Sequence, residues 1–303
     1  MEPKRYGPFP YSPIIDRPPL RWPNGARLAV WVVPNIEFYP LNVDYQLNIP
    51  GGKAIQPNIL EWSRRDYGNR VGVYRLMAML AERRIRATVA LNSDICREHP
   101  RIIEKCAELD WELMGHGESN VVLLSGIPAE EERCIIDATL ATIEQATGHR
   151  PAGWLGAGLT ETWNTLEQLS AAGIRYVADF VNDDQPYVMD VGQPPMVSIP
   201  YTIELNDTQS INRRNQSGEA FGELIRSQFE VLYEEGAESG RVMAIALHPW
   251  ISGVPHNVRA LGRTLDFIAG HEDVWFATGT EIVAAFLQAT RQAPTVNRWR
   301  DSP

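Results

Sequence analysis

The chain has 303 residues, of which 44% are hydrophobic, enough to build one large α/β domain or two smaller ones around a sizeable core. Its formal net charge is -10 and it carries no long basic run, which argues against nucleic acid as a partner. Cys96, Cys106 and Cys134 are widely spaced and form no CxxC pair, the N-terminus lacks the apolar core of a signal peptide, and no apolar run approaches the roughly 20 residues that span a bilayer. A cytoplasmic protein without a membrane partner is therefore expected.

The first 25 residues are rich in proline and aromatics and read as an extended arm. From there strands and helices alternate. The runs 27–35, 86–92 and 111–116 read as strands, with helices at 71–84 and 100–110 between them. A long helix opens at Pro128 and ends near Gly148, followed by a short strand at 152–156 and a helix closed by Gly173. Strands at 174–179 and 195–205, a helix at about 219–235, a strand at 241–250, a helix at 257–270, a strand at 273–278 and a final helix at 280–292 complete the series. About eight strand-then-helix units mean a parallel sheet covered by helices, most simply one (β/α) barrel, regular or distorted, over 26–292 with a tail at 293–303. An open doubly wound sheet is the alternative, although neither the Rossmann glycine fingerprint nor a P-loop occurs at the strand–helix turns.

In a barrel the loops after the C-terminal strand ends build the site. Those ends carry Asn35 and Glu37, Asn92 and Asp94, His116, Trp154, Asp179 with Asp183 and Asp184, Glu204 and Asp207, and His248. Glu37 and His248 each follow a strongly apolar run, where a polar group is costly unless it is paired or useful. In "MGHGESN" a histidine sits between two glycines, which let other groups approach the backbone closely. Plainer readings suit the rest. Asp94 reads as a turn cap, at least one of Asp183 and Asp184 as a turn residue, and Glu204 and Asp207 as solvated loop carboxylates. His99, His149, His256 and His271 read as surface or capping residues, with His256 within possible reach of the mouth.

These motifs resemble the polysaccharide deacetylase family (carbohydrate esterase family four), whose fold is a distorted (β/α) barrel. The family's Thr-Phe-Asp-Asp-Gly motif is replaced by "NIEFY": Glu37 stands for the base and Phe38 replaces a metal ligand. Its H-[ST]-x-x-H motif is replaced by "HGESN": His116 remains and Asn120 replaces the second histidine. Leu155 stands where the third motif has arginine, and Leu247-His248 keeps the last motif. The stretches 61–77, 150–154, 176–187 and 247–250 are similar to the branch containing the cofactor-independent allantoinase and cyclic imide hydrolases. That branch keeps two acidic residues in the first motif, where this chain has one.

The resemblance implies hydrolysis of a carbon–nitrogen bond in a small amide, cyclic imide or ureide. Glu37 would be the base, its pKa raised by desolvation, with His248 or His116 as acid or holding the carbonyl oxygen. Backbone N–H groups around Gly156 and Gly158 would form an oxyanion site. Asn35, Phe38, Tyr39, Asn120, Trp154, Gly156, Asp183 and Trp250 are the expected substrate-binding residues, and 39–70 is expected to be a wall or lid. No cofactor is expected; the alternative is zinc or another divalent metal at His116 in a deacetylase with altered ligands. A third reading is a binding protein that has lost catalysis. The arm is expected to pack on a neighbouring subunit of a homo-oligomer.

Overall fold

A computed structural model describes residues 5–43 and 57–292. Nine strands form one sheet: β1 (Leu28–Ile36), β2 (Thr88–Leu91), β3 (Glu112–Gly115), β4 (Gly153–Trp154), β5 (Tyr176–Val177), β6 (Tyr187–Val188), β7 (Val197–Ser198), β8 (Arg241–Leu247) and β9 (Val274–Phe276). Their order is β6-β7-β5-β4-β3-β2-β1-β8, with β9 also on β1. Every pairing is parallel except β6 on β7. The sheet is strongly curled, and a parallel bridge from Asn206 to Ala246 brings the segment after β7 onto β8. The expected distorted barrel is therefore correct, and the open doubly wound sheet is not formed.

The run LAVWVVPNI makes β1 the centre of the sheet because a strand buried on both faces needs apolar residues at every position. Val30 and Val32 face one core, shared with Leu76, Phe229 and Leu265. Those residues come from α2 (Val73–Glu82), α7 (Gly218–Gly236) and α9 (Pro255–Ala269). Ala29, Trp31 and Val33 face the other, shared with Tyr201 and with Phe286 of α10 (Gly279–Gln292). A third cluster lies under α5 (Ala129–Thr147) and α6 (Thr165–Ala171). Glu130, Glu131 and Glu132 complement the dipole at the start of α5, and left-handed Gly148 ends it.

Two of the remaining helices, α1 (Ile59–Tyr67) and α3 (Asp94–Glu98), lie where the sequence reading has loops; α8 (Pro249–Ser252) begins within the stretch read as the strand 241–250, and α4 (Pro100–Glu108) was expected. Asp94 thus opens a short helix, where it pairs with Arg97. A π-helical turn, Gly68–Gly72, joins α1 to α2 and packs against α8. Within 39–70, residues 44–56 lie outside the described residues, as does the tail 293–303. Among the described residues no helix is long and apolar enough to cross a membrane.

The described part of the arm packs on its own chain. Arg17 grips both oxygens of Asp183 at 2.7 and 2.5 Å. Phe9 lies against Phe180 and Tyr187, with centroids 5.5 and 4.9 Å apart. Leu20 and Trp22 are buried, and the Trp22 indole donates to the Arg241 carbonyl at 2.9 Å. Because Trp22 fills space within a core, Trp22→Ala is expected to destabilise the monomer by on the order of 3 kcal/mol. Denaturant unfolding measures this, and a loss below about 1 kcal/mol would show that the arm is only loosely attached.

Candidate active site

Strand register brings the site together. Ile36 pairs with Leu91, Leu91 with Gly115, and Pro34 with Leu247. Parallel strands in this register end at one edge, so the residues that follow, Glu37, Asn92, His116 and His248, emerge side by side. Asn92 latches two of these ends: its amide oxygen accepts from Phe38 N–H at 3.0 Å, and its amide nitrogen donates to the His116 carbonyl at 2.5 Å. The glycines flanking His116 have separate causes. A Cβ on Gly115 would lie 2.7 Å from the Trp154 ring, and Gly117 has φ +76°.

Glu37, His116 and His248 are all buried and converge. Glu37 Oε1 lies 3.5 Å from His248 Nε2 and 3.8 Å from His116 Nε2. Both imidazoles are oriented from behind. His116 Nδ1–H donates to the Leu155 carbonyl at 2.6 Å, and His248 Nδ1–H donates to Asp207 Oδ1 at 2.7 Å. Asp207 is fully buried and also accepts from His248 N–H at 2.7 Å and the Ser252 hydroxyl at 2.6 Å. On the other side Tyr39 O–H donates to Glu37 Oε2 at 2.9 Å and accepts from Asn120 Nδ2 at 2.5 Å.

Burial by itself would raise the Glu37 pKa, but the charge of His248 and the two imidazole edges outweigh it and hold the carboxyl well below the usual range. This overturns the expected upward shift. Burial likewise pulls His248 down, but the carboxylates of Glu37 and Asp207 raise it to about 10. An ionised base thus faces a protonated acid. Tyr39 is pushed upward by burial and then by the Glu37 charge, so it remains a donor.

A cavity of about 210 Å³ adjoins Glu37, lined by Phe38, Tyr39, Trp62, Arg65, Asn69 and His99. Asn69 Nδ2 donates to the Glu37 carbonyl at 2.9 Å. The Arg65 guanidinium stacks over Tyr39 and Trp250 at 4.5 and 5.0 Å, and Trp250 is 6.3 Å from the His248 ring. A larger cleft of about 560 Å³ lies beneath the arm; the trio lines neither cavity, but the smaller one is bounded by Phe38 and Tyr39, which follow Glu37, and by Asn69, which binds its carbonyl. The trio's chemistry therefore outweighs cavity size in choosing the site.

Several expected site residues lie elsewhere. Asp183 lines the cleft beneath the arm and is tied to Arg17. Trp154 is wholly buried in the α5–α6 core. The Gly156 N–H donates to Asp179 Oδ1 at 2.7 Å, so it does not serve an oxyanion. Asn35 is buried and bonds to the Tyr201 hydroxyl, supporting the site from beneath. His256 and Glu204 are exposed. Asp207, read as a solvated carboxylate, is instead the clamp on His248. Its place after a strand was the signal, but its polar neighbours concealed it.

A model of the family described as polysaccharide deacetylase matches residues 65–177. A putative polysaccharide deacetylase of Schizosaccharomyces pombe is 25% identical over 91% of this chain and 94% of its own. The chain is similar to the polysaccharide deacetylase family. Among solved structures of that fold, PuuE allantoinase superposes with a TM-score of 0.80 at 27% identity, covering 91% of this chain and 96% of its own. A probable polysaccharide deacetylase from Pseudomonas aeruginosa PAO1 gives the same TM-score and identity, covering 90% and 95%. The proteins it resembles are thus named as polysaccharide deacetylases and as an allantoinase.

The family motif's metal ion does not fit the donor set here. Phe38 offers no donor, and Asn120 turns its amide nitrogen to Tyr39. Glu118 and Asp94 do not complete another site: among the described residues no group of three or more His, Cys, Asp or Glu is arranged to hold a metal ion. Purified protein is expected to contain well under one zinc per chain; elemental analysis giving about one, located at His116, would contradict this. A second expectation concerns pH. The folded pKa of His248 is raised above 6.5, so its stabilisation is complete below about pH 6.5 and is lost as pH rises through about 10. The melting gap between wild type and His248→Gln should narrow across that window, and a constant gap would mean that His248 is not charged in the folded protein.

Proposed function

We propose that the chain hydrolyses the carbon–nitrogen bond of a small amide, cyclic imide or ureide without a metal, using Glu37 as base and His248 as acid. The observation that carries this reading is the ionised Glu37 held 3.5 Å from a protonated His248, with Asp207 behind it. Both groups start in the protonation states that hydrolysis needs. Glu37 Oε1 takes a proton from water as its oxygen attacks the carbonyl carbon. His248 Nε2–H gives a proton to the leaving nitrogen as the carbon–nitrogen bond breaks. The proton on Glu37 then passes to His248 across their contact and restores the pair. His116, anchored through its Nδ1–H, turns its Nε2 edge toward Glu37 and positions the water. The aromatic surround of Phe38, Tyr39, Trp62 and Trp250 suits a compact, partly apolar substrate.

Similarity to an allantoinase supports a ureide among the candidate substrates. The relatives named as deacetylases favour a second reading, removal of an N-acyl group, which the same pair would catalyse. A turnover screen with chelator present, across amides, cyclic imides, ureides and N-acetylated amino sugars, separates the two. On the substrate so found, Glu37→Gln keeps the shape and removes the basicity, and turnover should fall at least about a hundredfold. His248→Ala should also slow turnover, and the double mutant should lose less than the sum of the two losses, because the residues act as one unit. Near wild-type turnover in Glu37→Gln would make Glu37 structural and end this mechanism.

A further inference from the structure

A second pair of carboxyl groups lies behind His116. Asp179 follows β5, and Glu161 lies in the loop leading from β4 to α6. Asp179 Oδ1 accepts the Gly156 N–H at 2.7 Å. Asp179 Oδ2 and Glu161 Oε1 are both shut off from solvent, and neither has a donor, although the two side chains are within hydrogen-bonding reach of each other. Ionised carboxylates only accept, so their contact requires a proton between them. One proton satisfies both orphaned oxygens, the acid donating to the carboxylate.

The surroundings agree. Burial, then the charges of Asp179 and Glu132, push Glu161 upward. Asp179 is raised by burial, against the lowering effects of Glu161, the Gly156 N–H and His116. Glu132 offers no proton, because it accepts from the hydroxyls of Thr162 and Thr165. Tyr201, the other titratable neighbour of Asp179, is raised by burial and keeps its phenolic proton.

We propose that Glu161 and Asp179 share one proton and act as a positioning pair for His116. Both ends of the loop 156–161 are then tied to Asp179, one through the Gly156 N–H and the other through the shared proton. The Leu155 carbonyl beside Gly156 is the acceptor of His116 Nδ1–H, and Leu155 N–H donates to the Gly115 carbonyl at 2.9 Å. Fixing the loop therefore fixes the ring whose Nε2 faces Glu37. Loss of the shared proton leaves two facing anions and releases the loop. The Glu37–His248 mechanism supplies the reason that the orientation of His116 matters, but the pairing itself does not depend on that mechanism.

The test needs no substrate, so its failure is distinct from failure of the proposed reaction. Glu161→Gln gives Asp179 an amide donor that cannot ionise, and Glu161→Ala gives none. An acid raised on folding takes up a proton, so the wild type loses stability as pH climbs above the ordinary value of 4.5. Melting from about pH 5 to about pH 9 should show Glu161→Gln exceeding wild type by a margin that grows with pH to a few degrees. In ¹⁵N NMR of the histidine rings, His116 should keep its hydrogen-bonded Nδ1–H signal in Glu161→Gln and lose it in Glu161→Ala. A margin independent of pH, or an unchanged His116 spectrum in Glu161→Ala, overturns the proposal. If Glu161→Ala does not fold, the margin for Glu161→Gln decides alone.

Discussion

Buried charge governs the mouth of this barrel. Glu37 and Asp207 are both withdrawn from solvent, and His248 stands between them. At 3.5 Å and an effective dielectric of about 20, the attraction between Glu37 and a charged His248 is on the order of 5 kcal/mol. That is comparable with the several kcal/mol needed to desolvate each ion. The pair alone therefore has little margin. Asp207 behind the imidazolium and Tyr39 on the carboxylate tip the balance, because each adds a hydrogen bond to the charged form.

The need to hold those charges explains much of the local structure. An ion pair without bulk water to solvate it keeps its energy only if both partners stay in place. His248 is held at two points by one carboxylate, at its ring Nδ1–H and its backbone N–H, and the same carboxylate accepts from Ser252. Glu37 is flanked by backbone contacts from Asn92 to Phe38 and from Asn69 to its own carbonyl. The strands below it share their register, so the three side chains are carried by the most rigid part of the molecule rather than by long loops.

The family barrel is retained while the groups at its mouth differ. Where the family's first and second motifs would bring further metal ligands, this chain has Phe38 and Asn120. Asn120 begins a directional chain in which its amide nitrogen donates to Tyr39, and Tyr39 donates to Glu37. The direction follows from the ionised carboxylate, which accepts only. One end of the base is thereby occupied, and Oε1 is left facing the two imidazoles.

The long apolar runs LAVWVVPNI and RVMAIAL were legible as strands because each position must be buried on both faces of a central strand. The helices with apolar spacing and a glycine or proline at an end were legible for the same local reason. Glu37, His116 and His248 stood out because a polar residue ending an apolar run has few structural excuses. Strands of two residues, such as β4, β5 and β7, carry too little pattern to be bounded from sequence. The polar run ILEWSRRDY gave no reason to place α1. Pairings were invisible. Asp207 reaches His248 across 41 residues, and Arg17 reaches Asp183 across 166. Glu161 meets Asp179 only because the β4–α6 loop turns back onto the end of β5. Hydrophobic periodicity reports that one face of an element must be buried, and that the chain by itself determined. Which charges meet on that buried ground depends on the curl and order of the sheet, and this the tertiary structure alone decided.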